Sequence, residues 1–146
     1  MKCATVMFTD FENFTSKSEH LSPEELVTLI DTCFTKFDEI ISRYKMEKIK
    51  TIGDAYLCVS GLPDPKTHNA VNVVDAAMEI IEAIKSFRLN AGDNTYFDIR
   101  IGIHTGPLVA GVVGDKKFAF DIWGDTVNTA SRMEQNSDPN KNKYIT

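Results

Sequence analysis

Two aspartates and two polar helix residues are of types that could bind a metal ion and a phosphate. Asp10 ends an apolar, strand-like run, and Asp54 lies in a short turn between two further strand-like segments. A carboxylate at the end of a strand lies at the rim of a sheet, where a cation can reach it. Asn128 and Arg132 are four residues apart, so a helix would place both side chains on one face.

These side chains suit phosphoryl chemistry. Two carboxylates at one rim repel each other unless a cation lies between them, and ligand sets made of oxygen favour Mg²⁺ or Mn²⁺. An amide beside a guanidinium can hold a ribose oxygen and a phosphate oxygen whose charge grows during reaction. Structural roles stay open for each residue, because Asp often caps turns and a solvated helix face often carries Asn and Arg.

The composition limits the class of protein. The 146 residues, 42% hydrophobic and 25% charged, fit a single domain, which we predict to span residues 1–146. The net charge of −5 argues against a nucleic-acid-binding face. Three separated cysteines favour neither a disulfide framework nor a zinc site, and they indicate a cytoplasmic setting. No apolar run approaches the roughly 20 residues that cross a bilayer, so membrane or sensor domains would lie only in flanking regions.

The first half of the chain reads as a strand, a helix, a hairpin and a second helix. A capping box at 22–25 begins the first helix, which should end near residue 44. Its buried stripe should be Leu26, Ile30, Cys33, Phe37, Ile40 or Ile41, and Tyr44. Alternation predicts strands over 46–52 and 55–60, with Asp54 at the tip of the turn and with Lys48 and Lys50 on one face. An apolar stripe from Ala70 to Phe87 then predicts the second helix.

The second half returns to strands. Residues 97–104 alternate as a half-buried strand, and Gly106-Pro107 should turn the chain into another strand over 108–113. A short strand over 118–122 precedes a helix whose inward side chains should be Val127, Ala130 and Met133. The last residues, 137–146, look polar and loop-like, with room for the start of one further strand.

The order of these elements predicts the fold class. Strand, helix, strand, strand, helix, strand is the order of an α+β, ferredoxin-like βαββαβ core, an antiparallel sheet with both helices on one face. Extra C-terminal strands and a helix follow this core. In this arrangement the third strand lies between the first and the second. Asp10 and Asp54, 44 positions apart, should therefore meet at the same rim.

Four motifs resemble the class III nucleotidyl cyclase catalytic domain, shared by adenylate and guanylate cyclases. They lie at 8–15, 48–54, 102–107 and 121–132, so the resemblance covers nearly the whole chain. It implies conversion of ATP to cyclic AMP and pyrophosphate, by attack of the ribose 3′-oxygen on the α-phosphorus. It also implies that Asp10, Asp54 and the backbone carbonyl of Phe11 hold Mg²⁺ or Mn²⁺, two ions per site.

The resemblance also assigns the residues that would hold the substrate. Lys50 and Asp121 stand at the positions that select the base, and they suit adenine, with its acceptor at N1 and its donor amine. Asn128 would orient the ribose, and Arg132 would stabilise the transition state. The β- and γ-phosphates would lie against the loop of Phe11, Glu12, Asn13, Phe14 and Thr15.

The assembly and the limits of the domain are further expectations from the resemblance. In the family, the metal-binding pair of one site comes from one chain, and the lysine, aspartate, asparagine and arginine that hold the substrate come from the other. Because this chain has both sets, the resemblance implies a head-to-tail homodimer with two equivalent sites. Pro107 stands where some members have a phosphate-binding arginine. A later hairpin that supplies a triphosphate-binding lysine is expected beyond residue 146, so the domain would be shortened at its C-terminus. A guanylate cyclase and an inactive dimerising or nucleotide-sensing module remain the alternatives.

Overall fold

The computed structural model describes residues 2–12, 14, 18–91, 97–114, 119–136 and 142–145. Its elements, in chain order, are β1 (Lys2–Phe11), α1 (Pro23–Arg43), β2 (Glu47–Ile52), β3 (Ala55–Ser60), a 3₁₀ turn (Pro65–Thr67), α2 (Ala70–Ala91), β4 (Ile99–Val113), β5 (Ala119–Trp123), α3 (Asp125–Gln135) and β6 (Asn142–Ile145). Within the described ranges, no helix has both the length and the hydrophobicity needed to span a bilayer.

The sheet has the strand order β2-β3-β1-β4-β5, with all of these pairs antiparallel. The short strand β6 pairs in parallel with β4, at residues 101–104. The predicted α+β fold is confirmed, and β3 lies between β2 and β1 as the ferredoxin-like order requires.

β4 contradicts the turn predicted at Gly106-Pro107. The strand continues from Ile99 to Val113, and Gly106 and Pro107 still pair with β1. The Thr126 hydroxyl of α3 donates to the Pro107 carbonyl, so this segment is held against the helix. A Gly-Pro pair typical of a turn therefore lies inside a long strand, because contacts with α3 and β1 outweigh the local preference.

The two faces of the sheet carry separate cores. Helices α1 and α2 cover the first face, where Met7 and Phe11 of β1 are buried among helix side chains. Helix α3 and strand β5 cover the second face, where Val6 of β1 packs with Ile122 and Ala130. Alternation along β1 thus places Asp10 on the second face, beneath α3.

Helix α1 begins as its sequence predicts. Ser22 caps it: its hydroxyl accepts from the Glu25 N–H at 3.1 Å, and its own N–H donates to the Glu25 carboxylate at 3.3 Å. Leu29 is buried, whereas the predicted Leu26 and Ile30 lie at the margin of the stripe. The first turns of the stripe thus differ from the prediction, whereas its later residues are confirmed as buried, namely Cys33, Phe37, Ile40 and Ile41.

Candidate active site

Asp10 and Asp54 lie at the same rim of the sheet. The backbone N–H of Phe11 donates to Asp54 Oδ2 at 3.2 Å, which fixes the β2–β3 turn against the end of β1. Burial raises the pKa of Asp54, and the nearby Asp10 charge adds to this, while the Phe11 N–H and Arg100 act in the opposite direction. The two carboxylates are thus close enough to oppose each other's ionisation, which a divalent cation would relieve.

Phe11 anchors this rim through its side chain. Phe11 as a whole is 3% exposed, and its ring packs against Phe34 and Phe97, with centroids 6.1 and 5.3 Å away. The side chain of Phe11 therefore belongs to the core and does not reach a ligand at the rim. Phe14 also packs on Phe97, and the backbone N–H of Glu12 donates to the Asp98 carbonyl at 2.8 Å. Asn13 and Thr15, the other loop residues expected to hold phosphate, lie outside the described residues.

Two residues absent from the sequence prediction contact Asp10. Arg100 of β4 donates from Nε to Oδ1 and from Nη2 to Oδ2, both at 3.1 Å. Glu134 of α3, 4% exposed, hydrogen-bonds to the same carboxylate, and its burial together with this contact raises its pKa to about 9. Burial and the neighbouring Asp10 charge thus favour the protonated form of the Glu134 carboxyl.

Close packing of α3 on β4 brings Glu134 to this place. A Cβ added at Gly102 would lie 2.1 Å from the backbone N of Glu134, so only a glycine permits this approach. The buried residues of α3 are Thr126, Ala130 and Glu134. Of the inward residues predicted for this helix, Ala130 is confirmed, whereas Val127 and Met133 are only half-buried. The hydrophobic pattern could not identify this buried face, because two of its three residues, Thr126 and Glu134, are polar.

The prediction that Lys48 and Lys50 share a face is wrong. Lys48 pairs with Cys58 but Lys50 pairs with Leu57, because β2 has a bulge between them. One extra residue reverses the alternation, a common device for re-aiming a side chain beside a functional site. Lys48 thus contacts Asp38 of α1 on the first face, and Lys50 turns to the second face.

Lys50 meets Asp121 of β5 on that second face. Its Nζ lies 2.8 Å from Oδ2 of Asp121, and Oδ1 accepts from the Ile122 N–H at 2.8 Å. Partial burial alone would raise the pKa of Asp121, but these two hydrogen bonds outweigh it, and the pKa is lowered. The pair presents a cationic donor beside an anionic acceptor, partly open to solvent, which suits the polar edge of a purine.

Asn128 and Arg132 lie on the exposed face of α3. Arg132 Nη2 is 3.6 Å from Asp125 Oδ1 and 3.3 Å from the Thr129 hydroxyl. Each helical residue advances about 100°, so Arg132 points about 200° away from Glu134, the residue that contacts Asp10. The chain thus holds its carboxylate rim and its Asn-Arg pair on opposite sides of one helix, and a single chain does not unite them.

The donors at the rim fit a cation that is bound together with phosphate. Among the described residues, no three His, Cys, Asp or Glu side chains form a closed metal-binding group. Two carboxylates and a backbone carbonyl are an all-oxygen set that leaves positions for phosphate oxygens and water. This is how proteins commonly bind Mg²⁺.

A family profile described as adenylate and guanylate cyclase catalytic domain matches residues 1–143. The chain belongs to this family. A receptor-type guanylate cyclase of Caenorhabditis elegans is 40% identical over 139 residues, which are 95% of this chain and 11% of that protein. An adenylate cyclase of Mycobacterium bovis is 39% identical over 131 residues, 90% of this chain and 29% of that protein.

Solved cyclase structures share the fold. The guanylate cyclase domain of RhGC from Catenaria anguillulae, in complex with GTP, superposes with a TM-score of 0.88 at 39% identity. The match covers 98% of this chain and 78% of that domain. By contrast, the chain spans only a minor part of the length of the two curated cyclases above. The relative named as a guanylate cyclase and the one named as an adenylate cyclase are about equally similar to it, at 40% and 39% identity.

Proposed function

We propose that this domain is an adenylate cyclase, which converts ATP to 3′,5′-cyclic AMP and pyrophosphate. The contact between Lys50 and Asp121 supports the choice of base. Adenine has an acceptor at N1 and a donor amine at C6, so it can accept from the lysine and donate to the aspartate. Guanine has a donor at N1 and an acceptor at O6, which would reverse both interactions.

The carboxylate rim would hold the reacting end of the nucleotide. Asp10, Asp54 and the Phe11 carbonyl would bind Mg²⁺ or Mn²⁺, two per site, whose chemistry when bound is to acidify the 3′-hydroxyl and offset the triphosphate charge. The backbone of 11–15 would lie against the β- and γ-phosphates. The 3′-oxygen then bonds to the α-phosphorus as the bond to the β-phosphate oxygen breaks.

A second copy would supply the other groups of each site, Asn128 and Arg132 together with Lys50 and Asp121. Because α3 turns Asn128 and Arg132 away from its own chain's carboxylates, the partner in a head-to-tail homodimer would place them over the ribose and the α-phosphate. There Asn128 would orient the ribose, and Arg132 would stabilise the charge that develops at phosphorus. Exposed apolar side chains on β4 and β5, among them Val112 (64% exposed) and Trp123 (44%), offer a surface for such a partner.

The direct test is formation of cyclic nucleotide from ATP and from GTP, with Mn²⁺, over a range of protein concentrations. We expect cyclic AMP as the main product and a specific activity that rises with concentration, as a shared site requires. The double substitution Lys50→Glu and Asp121→Cys should weaken the preference for ATP. An unchanged preference would refute the roles given to these two residues.

A guanylate cyclase is the second candidate, favoured by the similarity to the receptor-type guanylate cyclase and to the GTP-bound domain. Cyclic GMP as the main product would establish it. An inactive module that dimerises or senses nucleotide would bind ATP and form neither product.

Complementation tests the shared site. Asp10→Ala and Arg132→Ala should each abolish turnover, because each variant spoils both sites of its own homodimer. A mixed dimer of the two variants contains one site with every residue intact. We therefore expect co-expressed variants to recover up to about a quarter of the wild-type activity, if subunits mix at random. Variants that stay inactive together while their dimers mix would contradict a site built from two chains.

The setting of the domain is also a proposal. Cys33 and Cys58 are buried free thiols, which is compatible with a reducing compartment. We place the domain in the cytoplasm, with ATP as its ligand and a second copy of the chain as its partner.

A further inference from the structure

The Asp10 carboxylate is held from two sides by residues of its own chain. Arg100 stands directly opposite Asp10 in the β1–β4 register, and its guanidinium binds both carboxylate oxygens at 3.1 Å. Glu134 contacts the same carboxylate from α3. A carboxylate has about four lone-pair directions, and the guanidinium uses two of them, one on each oxygen.

This arrangement competes with a metal ion for Asp10. A guanidinium that binds both oxygens in parallel makes the stronger form of this ion pair. A cation bound to Asp10 would have to displace or share those hydrogen bonds. It would also lie close to a positive charge fixed by the strand. Both effects lower the affinity of the carboxylate for a divalent cation.

The opposite effect is also known. A hydrogen-bond partner that orients a metal ligand commonly raises metal affinity by about 10–100-fold. Two features distinguish Arg100 from such a partner. It binds both oxygens rather than one. In addition, Glu134 is packed against the same carboxylate, at a position fixed by the close approach of α3 to Gly102, so Arg100 is not needed to orient Asp10.

We propose that Arg100 is a positioning residue that acts as the built-in counter-ion of Asp10 and keeps the affinity of the nucleotide-free protein for divalent cations low. The triphosphate brings negative charge that offsets the guanidinium, so the cation binds with the nucleotide rather than before it. This inference rests on the metal role proposed for Asp10, and it adds a control on the order of binding.

Mn²⁺ binding to the nucleotide-free full chain tests the proposal without measuring turnover. The electron paramagnetic resonance signal of free Mn²⁺ gives the affinity directly. Arg100→Gln removes the positive charge and keeps a hydrogen-bond donor, whereas Arg100→Lys keeps the positive charge and loses the bidentate hydrogen bonding. We expect Arg100→Gln to bind Mn²⁺ at least about tenfold more tightly than wild type, and Arg100→Lys to stay within about threefold of it.

The opposite pattern overturns the proposal. If both variants bind Mn²⁺ more weakly, or if Arg100→Gln binds it no more tightly, Arg100 does not act as a counter-ion. The gained affinity should disappear when Asp10→Asn is added, and a gain that survives would also refute the idea. Urea unfolding checks that each variant is folded, and Arg100→Met, with the same expectation, replaces the glutamine variant if that does not fold. ATP cyclisation by wild type judges the proposed function separately.

Discussion

Gly102 offers the sharpest test of how this site is built. The glycine lies in β4 beneath α3, where an added Cβ would be 2.1 Å from the Glu134 backbone N and 2.4 Å from the Ala130 carbonyl oxygen. Real Cβ atoms essentially never approach another heavy atom within 3.0 Å, and both obstacles are helix backbone, which cannot turn aside as a flexible side chain can. Gly102→Ala should therefore push α3 away from β4 by roughly 1 Å.

The expected cost exceeds that of ordinary overpacking. Extra methyl groups in a packed core usually cost about 1–3 kcal/mol. Here a whole helix must move and its buried contacts loosen, so we expect a loss of about 3 kcal/mol or more. The displacement also moves Glu134 away from Asp10 and shifts the Asn128-Arg132 face, so turnover should fall even where the protein remains folded.

Gly111→Ala is the matched control, in the same strand and with the same substitution. A Cβ there meets its nearest neighbour, the Trp123 ring, at 3.6 Å, an ordinary contact. Both substitutions reduce the entropy of the unfolded chain equally, so the difference between them isolates the clash. Urea unfolding of both variants gives that difference. If Gly102→Ala is within about 0.5 kcal/mol of Gly111→Ala, the close packing of α3 on β4 is wrong.

Three further predictions concern the scaffold. Ser22→Ala removes the N-cap of α1 and should lower the free energy of unfolding by about 1 kcal/mol; an unchanged urea midpoint would contradict the capping box. Tyr56→Phe removes the 2.5 Å hydrogen bond from the tyrosine hydroxyl to the Asp38 carboxylate of α1, and it should lower the free energy of unfolding by about 1 kcal/mol. Equal stability of the variant and the wild type would show that this hydrogen bond does not stabilise the fold. Ellman's reagent should react rapidly with Cys3 alone, because Cys33 and Cys58 are buried and burial raises the pKa of Cys33 to about 12; two or three fast thiols would argue against this core.

Much of the fold could be predicted from periodicity and from strong local signals. The capping box of α1, the strand alternation and the element order were sufficient to bring Asp10 and Asp54 to one rim. This worked because strand order depends on connection rules that act on whole elements, so small errors in the element boundaries do not matter. The stripe of α1 shows the same tolerance, since the helix packs on its predicted face although Leu29 is buried more deeply than Leu26.

The features that determine where individual side chains point could not be predicted in this way. The bulge that sends Lys50 to the opposite face from Lys48 leaves no mark in the hydrophobic pattern, because β2 is an exposed strand. Arg100 and Glu134 were missed because their partner depends on register and on helix rotation, which polarity alone does not reveal. The one signal in the sequence was an arginine within the alternating strand 97–104, and only the strand register shows that this arginine lies opposite Asp10.

The rotation of α3 is the step that joins the fold to the proposed chemistry. Ala130 and Glu134 press their backbone against Gly102, so the helix cannot turn about its axis without a clash or a cavity. Turning it to bring Arg132 toward Asp10 would bury that guanidinium and expose Ala130, which packs on Val6 and Ile122. A change of the Arg132 rotamer alone cannot bring its guanidinium to Asp10, because the two lie about half a turn apart around the helix. Under the proposed function, the same close packing that positions Glu134 on Asp10 therefore requires a second copy of the chain to supply the arginine.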